Sequence, residues 1–348
     1  MTHEQGPRVT AQPERPARAA TFASDFSGLL LFDKPVGVTS HDVVDRVRKQ
    51  LHIRGVGHLG TLDPGASGLL VLAMGAATRC AACWQGGTKT YEATIRFGVV
   101  TDSQDLSGAV LEEHHEAAAA LTQEQLRAAS ERFVGSLTQV PPMVSALKHH
   151  GERLYAIARR GESVEREART IQVHAWEWTA FELPEARATV RCSGGTYVRT
   201  LAHDLGRALG VGAALAGLRR VRSEPFGIER AVPLAALDEW PSEQVIERAG
   251  IELDRALDVL PAVTLDDAAA ALLGLGGRPA LGVSPPATPD PPLAVVFRDR
   301  AGRALALGER VVDPARPGRT LAAARVVFPW AVRSGPGRVA PASAEGGA

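Results

Sequence analysis

The stretch Gly57-His58-Leu59-Gly60-Thr61-Leu62-Asp63-Pro64-Gly65-Ala66-Ser67-Gly68 packs four glycines, a proline, a histidine and one carboxylate into twelve residues. Glycine lets backbone approach a ligand closely or take a positive φ. Proline fixes its own φ and biases the preceding Asp63 toward extended geometry. The result is one acidic side chain on a stiff loop of small residues, with the apolar run Leu69-Leu70-Val71-Leu72 beside it. A chain presents a reactive carboxylate in this way, as nucleophile or as general base. An ordinary turn has the same composition, and spacing alone favours the turn.

Other chemistry-bearing patterns carry less. Cys80-Ala-Ala-Cys83 has CxxC spacing, but no second pair for zinc accompanies it and the alanines around it predict a helix. Three cysteines are too few for a disulfide framework and fit a reducing compartment. Asp102–Gly108 resembles a calcium loop without the acidic third position or the glycine at the sixth, which predicts a turn. Lys plus Arg equals Asp plus Glu at 39 each, so overall charge points to no polyanionic partner. Locally, Arg191, Arg199, Arg207, Arg219, Arg220 and Arg222 stand against the single acid Asp204. Such a run can track phosphates or simply sit in solvent. Lys148, His149, His150, Arg153, Tyr155, Arg159 and Arg160 mix bases with an aromatic ring, which suits nucleic acid. Four nearby glutamates dilute that charge and leave an exposed helical hairpin as an equal alternative.

The elements that must position these groups follow from periodicity. With 348 residues the chain has room for two domains. Residues 1–25 are polar and aperiodic, a disordered tail. Leu29-Leu30-Leu31-Phe32 predicts a buried strand, and Ser40 a helix N-cap before the apolar stripe Val43, Val44, Val47 and Leu51. Tyr91–Phe97 and Ala188–Cys192 alternate as strands do, and Thr122 with Gln125 predicts a capping box. A helix is expected from Tyr197 to Leu209. Beyond 253 the pattern shifts to a helix at 265–275, a Pro-rich loop at 284–292 and a hairpin around Arg300-Ala301-Gly302. Strands interleaved with helices predict an α/β or α+β domain of catalytic size over the first 250 residues, taken as 26–252. Connections too short for a uniform parallel sheet predict a mixed, mostly antiparallel one. No apolar run reaches membrane-spanning length and no hydrophobic signal core opens the chain, so a soluble, cytoplasmic protein is expected.

Taken together the motifs resemble the TruB-type tRNA pseudouridine-55 synthases. The Gly57–Gly68 stretch resembles the motif bearing that family's catalytic aspartate. Gly28–Ser40, Lys89–Ala93, Pro142–Lys148 and Gly195–Thr200 match in the family's order, as does Leu218-Arg219-Arg220. The resemblance covers about 28–230, and residues 253–335 resemble, more loosely, a small β-rich PUA-like domain, before a tail at 336–348. It implies the pseudouridine synthase fold: α+β, with a long, mostly antiparallel sheet. It also implies Asp63 as the catalytic aspartate, Tyr91 as the ring stacked on the target uracil, and Tyr197 and Arg199 as the second pocket tyrosine and the aspartate's partner. His58, Leu218, Lys148, Arg219 and Arg220 are implied to bind substrate, Lys148 within an RNA-gripping insertion at about 140–170. Val144 and Gly194 depart from the tyrosine and lysine that many relatives carry there.

Such an enzyme breaks the N1–C1′ bond of a uridine, turns the base and rejoins it through C5, so neither a cofactor nor a metal is expected. The expected partner is the T-arm of tRNA, with no membrane, no implied protein partner and a monomeric enzyme. Flipping the base out of its stack costs about a few kcal/mol; stacking on Tyr91 offsets about 1–3 kcal/mol of that. Arg199 is expected to favour the charged form of Asp63. Three rivals have less support. A binding-only tRNA-folding module needs no carboxylate, and a phospho-aspartyl hydrolase needs further acids for magnesium. A guide-RNA-dependent relative fits poorly with the short N-terminal extension.

Overall fold

Leu29, Leu30, Leu31 and Phe32 are all buried because their strand, β1 (Gly28–Lys34), is covered on both faces. The computed structural model describes residues 26–333 except 146, 150, 155, 156, 158, 159, 284–293 and 317. The expected tails and the 284–292 loop lie outside the described residues.

β1 belongs to an eleven-stranded sheet. In chain order its other strands are β2 (Val56–His58), β3 (Ala66–Met74), β4 (Lys89–Phe97), β5 (Gly135–Gln139) and β6 (Arg169–Glu182). They continue with β7 (Glu185–Cys192), β8 (Ala213–Ser223), β9 (Phe226–Gly227), β10 (Val232–Pro233) and β11 (Gly250–Glu252). The spatial order is β10-β1-β3-β8-β4-β7-β6-β5, with β9, β11 and β2 paired to β8, β1 and β3. Only β1–β10 and β8–β3 pair in parallel, so the sheet is mostly antiparallel as expected. It is the scaffold that brings Gly57–Gly68, Tyr91 and Leu218 together across β3, β8 and β4.

Alternation sends side chains of β3 into two cores. Leu70, Leu72 and Met74 meet α1 (Ser40–Leu51), α2 (Gln123–Glu131) and α3 (Val198–Ala208) on one face. Leu69, Val71 and Ala73 point the other way, toward Val296, Leu307 and Phe328 of the C-terminal part. That part holds a five-stranded sheet, formed by β12 (Ala262–Thr264), β13 (Ala280–Val283), β14 (Val295–Arg298), β15 (Ala304–Val312) and β16 (Arg319–Val327). β14 and β15 form the hairpin expected around Gly302, and α4 (Asp267–Gly274) covers the sheet. Residues 253–257, expected to open the second module, instead pack Leu253 and Leu257 beside Leu29 and Leu31.

Several local expectations are corrected. The cap of α1 is Thr39, whose hydroxyl accepts from Asp42 N in a full capping box, and Ser40 is used elsewhere. Instead of one helix near 78–84 there is a 3₁₀ turn, Gly75–Cys80, and a short helix, Ala82–Gln85. Where a helical hairpin is the alternative, Lys148–His149 pairs with Glu152–Arg153 as two short antiparallel strands, while Leu154 and Ile157 just after them are helical.

Candidate active site

The Asp63 loop is fastened at several points. Leu59 N donates to Val71 O at 2.8 Å, Ala66 N to Asp63 O at 3.0 Å, and Gly37 N to Pro64 O at 2.8 Å. Ser40 Oγ, at the start of α1, accepts from Leu62 N at 2.8 Å and donates to Leu62 O at 3.1 Å. Gly68 lies at φ +102°, opposite Arg220 of β8, where a Cβ would stand 2.3 Å from the Arg220 carbonyl oxygen. The buried Arg220 side chain runs beneath the loop, donating to Leu69 O at 2.8 Å and Gly60 O at 3.0 Å. Its interaction with the Tyr91 phenol ties the loop to β4.

Arg199 enters from the first turn of α3. Its side chain is 4 % exposed, with Nη2 3.4 Å from Asp63 Oδ2 and Nη1 3.5 Å from Asp105 Oδ2. Nη2 also donates to Val144 O, and the guanidinium carbon stands 5.7 Å from the centre of the Tyr197 ring. Gln139 holds the backbone of Tyr197 from both sides, accepting from Tyr197 N at 2.8 Å and donating to Tyr197 O at 3.0 Å. Asp105 is fixed by Ser103 Oγ at 2.8 Å and Ser107 N at 3.0 Å. The calcium-like stretch is therefore a turn that aims a carboxylate at Arg199.

These groups surround a cavity of about 340 Å³ lined by Asp63, Lys89, Tyr91, Tyr197, Arg199, Leu218 and Arg220, among others. Burial raises the Asp63 carboxyl above the usual aspartate range; Arg199 opposes the shift, Asp105 adds to it and Lys34 opposes it. The expectation that Arg199 keeps Asp63 charged holds for that one contact, but burial outweighs it. Asp63 is the one acid among the described residues lining this cavity, and Asp105 shares its arginine from outside that lining. Burial raises the Tyr91 and Tyr197 phenols and lowers Lys34 and Lys89 to about 8 each.

Of the residues singled out from sequence, Asp63, Tyr91, Tyr197, Arg199, Leu218 and Arg220 share this cavity. His58 sits half-buried on β2 opposite Leu72, outside the cavity lining. Arg219 points to the opposite face from Arg220 and pairs with Asp33 at 2.7 Å and 3.1 Å. Lys148 lies opposite Arg153 in the short hairpin, and its side chain is outside the described residues, as are Tyr155 and Arg159. The arginine-rich run from 191 to 222 forms no single basic face. Arg199 and Arg220 are buried, while Arg207, Arg219 and Arg222 pair with Glu112, Asp33 and Glu224. Asp105, Gln139 and Ser40 are not among the expected site residues; the turn chemistry marks Asp105, the N-cap signal and the Gly28–Ser40 block mark Ser40, and no motif marks Gln139.

No helix among the described residues is long and apolar enough to cross a membrane. The model of the TruB family pseudouridylate synthase N-terminal domain matches residues 48–198. That of the tRNA pseudouridylate synthase B C-terminal domain follows at 199–261, stopping just before the second sheet. The tRNA pseudouridine synthase B of Opitutus terrae is 46 % identical over 224 residues, 64 % of this chain and 92 % of that protein. The tRNA pseudouridine synthase B of Symbiobacterium thermophilum is 46 % identical over 262 residues, 74 % of this chain and 85 % of its own. Among solved structures, a chain of a Cbf5–Nop10–Gar1 complex superposes with a TM-score of 0.66 at 26 % identity, covering 94 % of this chain and 92 % of that one. The carboxylate–arginine pair beside Tyr197 is held on this sheet, and the chain, matched from 48 to 261 by the two family models, belongs to the TruB family of pseudouridine synthases.

Proposed function

We propose that this chain isomerises uridine 55 in the T-loop of tRNA to pseudouridine, with Asp63 acting at the sugar. The enzyme is a tRNA pseudouridine synthase. The observation that carries the assignment to Asp63 is its 3.4 Å approach to a buried Arg199 within one cavity that also holds Tyr91 and Tyr197.

The target base leaves its stack and enters the cavity, where the Tyr91 ring stacks on it and Leu218 packs its edge. Stacking is worth about 1–3 kcal/mol per base, enough to offset much of the flipping cost. Asp63 then either attacks C1′ or removes the C2′ proton, and in both routes it must be ionised. Arg199 holds the carboxylate in orientation, and Gln139 holds the backbone of Tyr197 that precedes it. His58 occupies space vacated by the base, outside the pocket itself. Lys148 and Arg219 contact phosphates; Arg220 supports the pocket from below. The T-arm is the recognised part of the RNA, the enzyme works as a cytoplasmic monomer, and the five-stranded sheet that starts at Ala262 belongs to a PUA-like module.

The test is release of tritium from uracil C5 in a tRNA transcript labelled there. Stoichiometric release is expected from the wild-type transcript and none from one carrying cytidine at position 55. Equal release from both contradicts the site of modification.

A further inference from the structure

Lys34, Arg220 and Lys89 are 0 %, 3 % and 4 % exposed. Main-chain carbonyls take their donors: Pro35 and Val38 for Lys34, Gly60 and Leu69 for Arg220, Gln85 and Gly87 for Lys89. Among the described residues none of the three forms an ion pair with a carboxylate within 4 Å. Arg220 repels both lysines. Burying cations side by side with no carboxylate in ion-pair contact is costly, and Asp63 and Glu224 offset it only from a distance. Yet Lys89 and Arg220 both line the cavity beneath Tyr91, with Lys89 two residues before it on the same face of β4. Such an arrangement is a preformed positive potential, of use where negative charge develops during a reaction.

The isomerisation generates such charge. When N1–C1′ breaks heterolytically, the bonding pair stays with the base, which becomes a uracil anion with charge on N1, O2 and O4. The charge is discharged when C5 bonds to C1′ and a proton passes from C5 to N1, so uridine and pseudouridine balance atom for atom. Arg199 is shared between Asp63, Asp105 and the Val144 carbonyl and has little charge left for the base. We propose that the Lys89 ammonium, with Arg220 beside it, stabilises the detached uracil anion while the base turns. This rests on the Asp63-centred reaction above. Arg220 from β8, Cys192 from β7 and Glu224 after β8 face Lys89; Cys192, pushed up to about 11, stays neutral through the working range.

The experiment is single-turnover tritium release with saturating enzyme, across pH, for wild type, Lys89→Met and Lys89→Arg, with tRNA affinity measured in parallel. Lys89→Met is expected to lose about 10²-fold in rate with affinity unchanged, and Lys89→Arg to recover most of it. The ammonium is charged below about 8, so the wild-type rate is expected to fall as pH rises through that value, and the fall to vanish in Lys89→Arg. Lys89→Met turning over at nearly the wild-type rate overturns the proposal, and so does a loss in binding that accounts for the loss in rate. A fall that survives in Lys89→Arg belongs to another group, Lys34 above all, and also overturns it. If neither variant folds by circular dichroism, the profile of Lys34→Arg decides: the fall is expected to persist in it, and a fall that vanishes there, or a wild-type profile flat to about pH 9.5, overturns the proposal. Wild type releasing no tritium at neutral pH defeats the Asp63 reaction itself, which separates the two failures.

Discussion

Arg199 Nη2 lies 3.4 Å from Asp63 Oδ2, with the arginine side chain 4 % exposed and the aspartate side chain 42 % exposed at the cavity. The arginine is the fixed member of the pair. Asp105 and the Val144 carbonyl hold its two ends, so the position of the carboxylate is set by a group that cannot easily turn away.

Lysine cannot reproduce that arrangement, because an ammonium is a point donor on a flexible stem. Arg199→Lys is expected to lower the single-turnover rate about 10²-fold and to leave tRNA affinity nearly unchanged. Rapid-quench measurement of pseudouridine formation checks this; a full-rate lysine variant contradicts the fixed-partner role.

The pH profile reports on Asp105. Asp63 must be ionised to act, and its folded-state value is raised, so the rate profile has an acid limb along which activity is lost as pH falls through that raised value. Asp105 is one of the causes that raise it. Asp105→Asn is therefore expected to move the acid limb of the rate profile to lower pH, with a lower plateau because Arg199 loses an anchor. An acid limb displaced upward contradicts this electrostatic assignment.

Tyr91 separates stacking from hydrogen bonding. Tyr91→Phe keeps the ring and loses only the contact with Arg220, whereas Tyr91→Ala loses the platform. The alanine variant is expected to cost about 1–3 kcal/mol in the base-flipped state, read as a rate loss well beyond that of the phenylalanine variant. Equal losses in the two variants place the role of Tyr91 in its hydroxyl.

Ser40 is a stability prediction. Its buried hydroxyl satisfies both the N–H and the carbonyl of Leu62, next to Asp63. Ser40→Ala leaves both without that partner and is expected to cost about 1–3 kcal/mol, visible as a lower urea midpoint. An unchanged midpoint contradicts the anchoring role.

What was legible in the sequence was local. The Asp63 loop, Tyr91 and the Tyr197–Arg199 step each lie within a short motif, and the strands that carry Leu29–Phe32 and Tyr91–Phe97 alternate or run apolar without interruption. The rest depends on tertiary placement. Asp105 sits in a serine-rich turn that reads as an ordinary turn, and its role exists only because α3 brings Arg199 to it from 94 residues away. The supposed basic face failed because neighbouring residues on a strand point to opposite faces: Arg219 turns out to Asp33 and Arg220 turns in under the loop. Ser40 reads as the cap as readily as Thr39, one residue earlier, because both hydroxyls offer the same chemistry and only the backbone geometry separates them. The long β6 shows no clean alternation in the sequence because bulges after Val173 and Trp178 interrupt it.

The most direct measurement is tritium release from uracil C5 by Asp63→Asn with tRNA binding and thermal melting measured alongside. The neutral amide removes a charge that burial disfavours, so the variant is expected to melt no lower than wild type and to bind tRNA as tightly. It is expected to release no tritium above background. Wild-type release from a folded, tRNA-bound Asp63→Asn protein contradicts the assignment of the chemistry to this carboxylate.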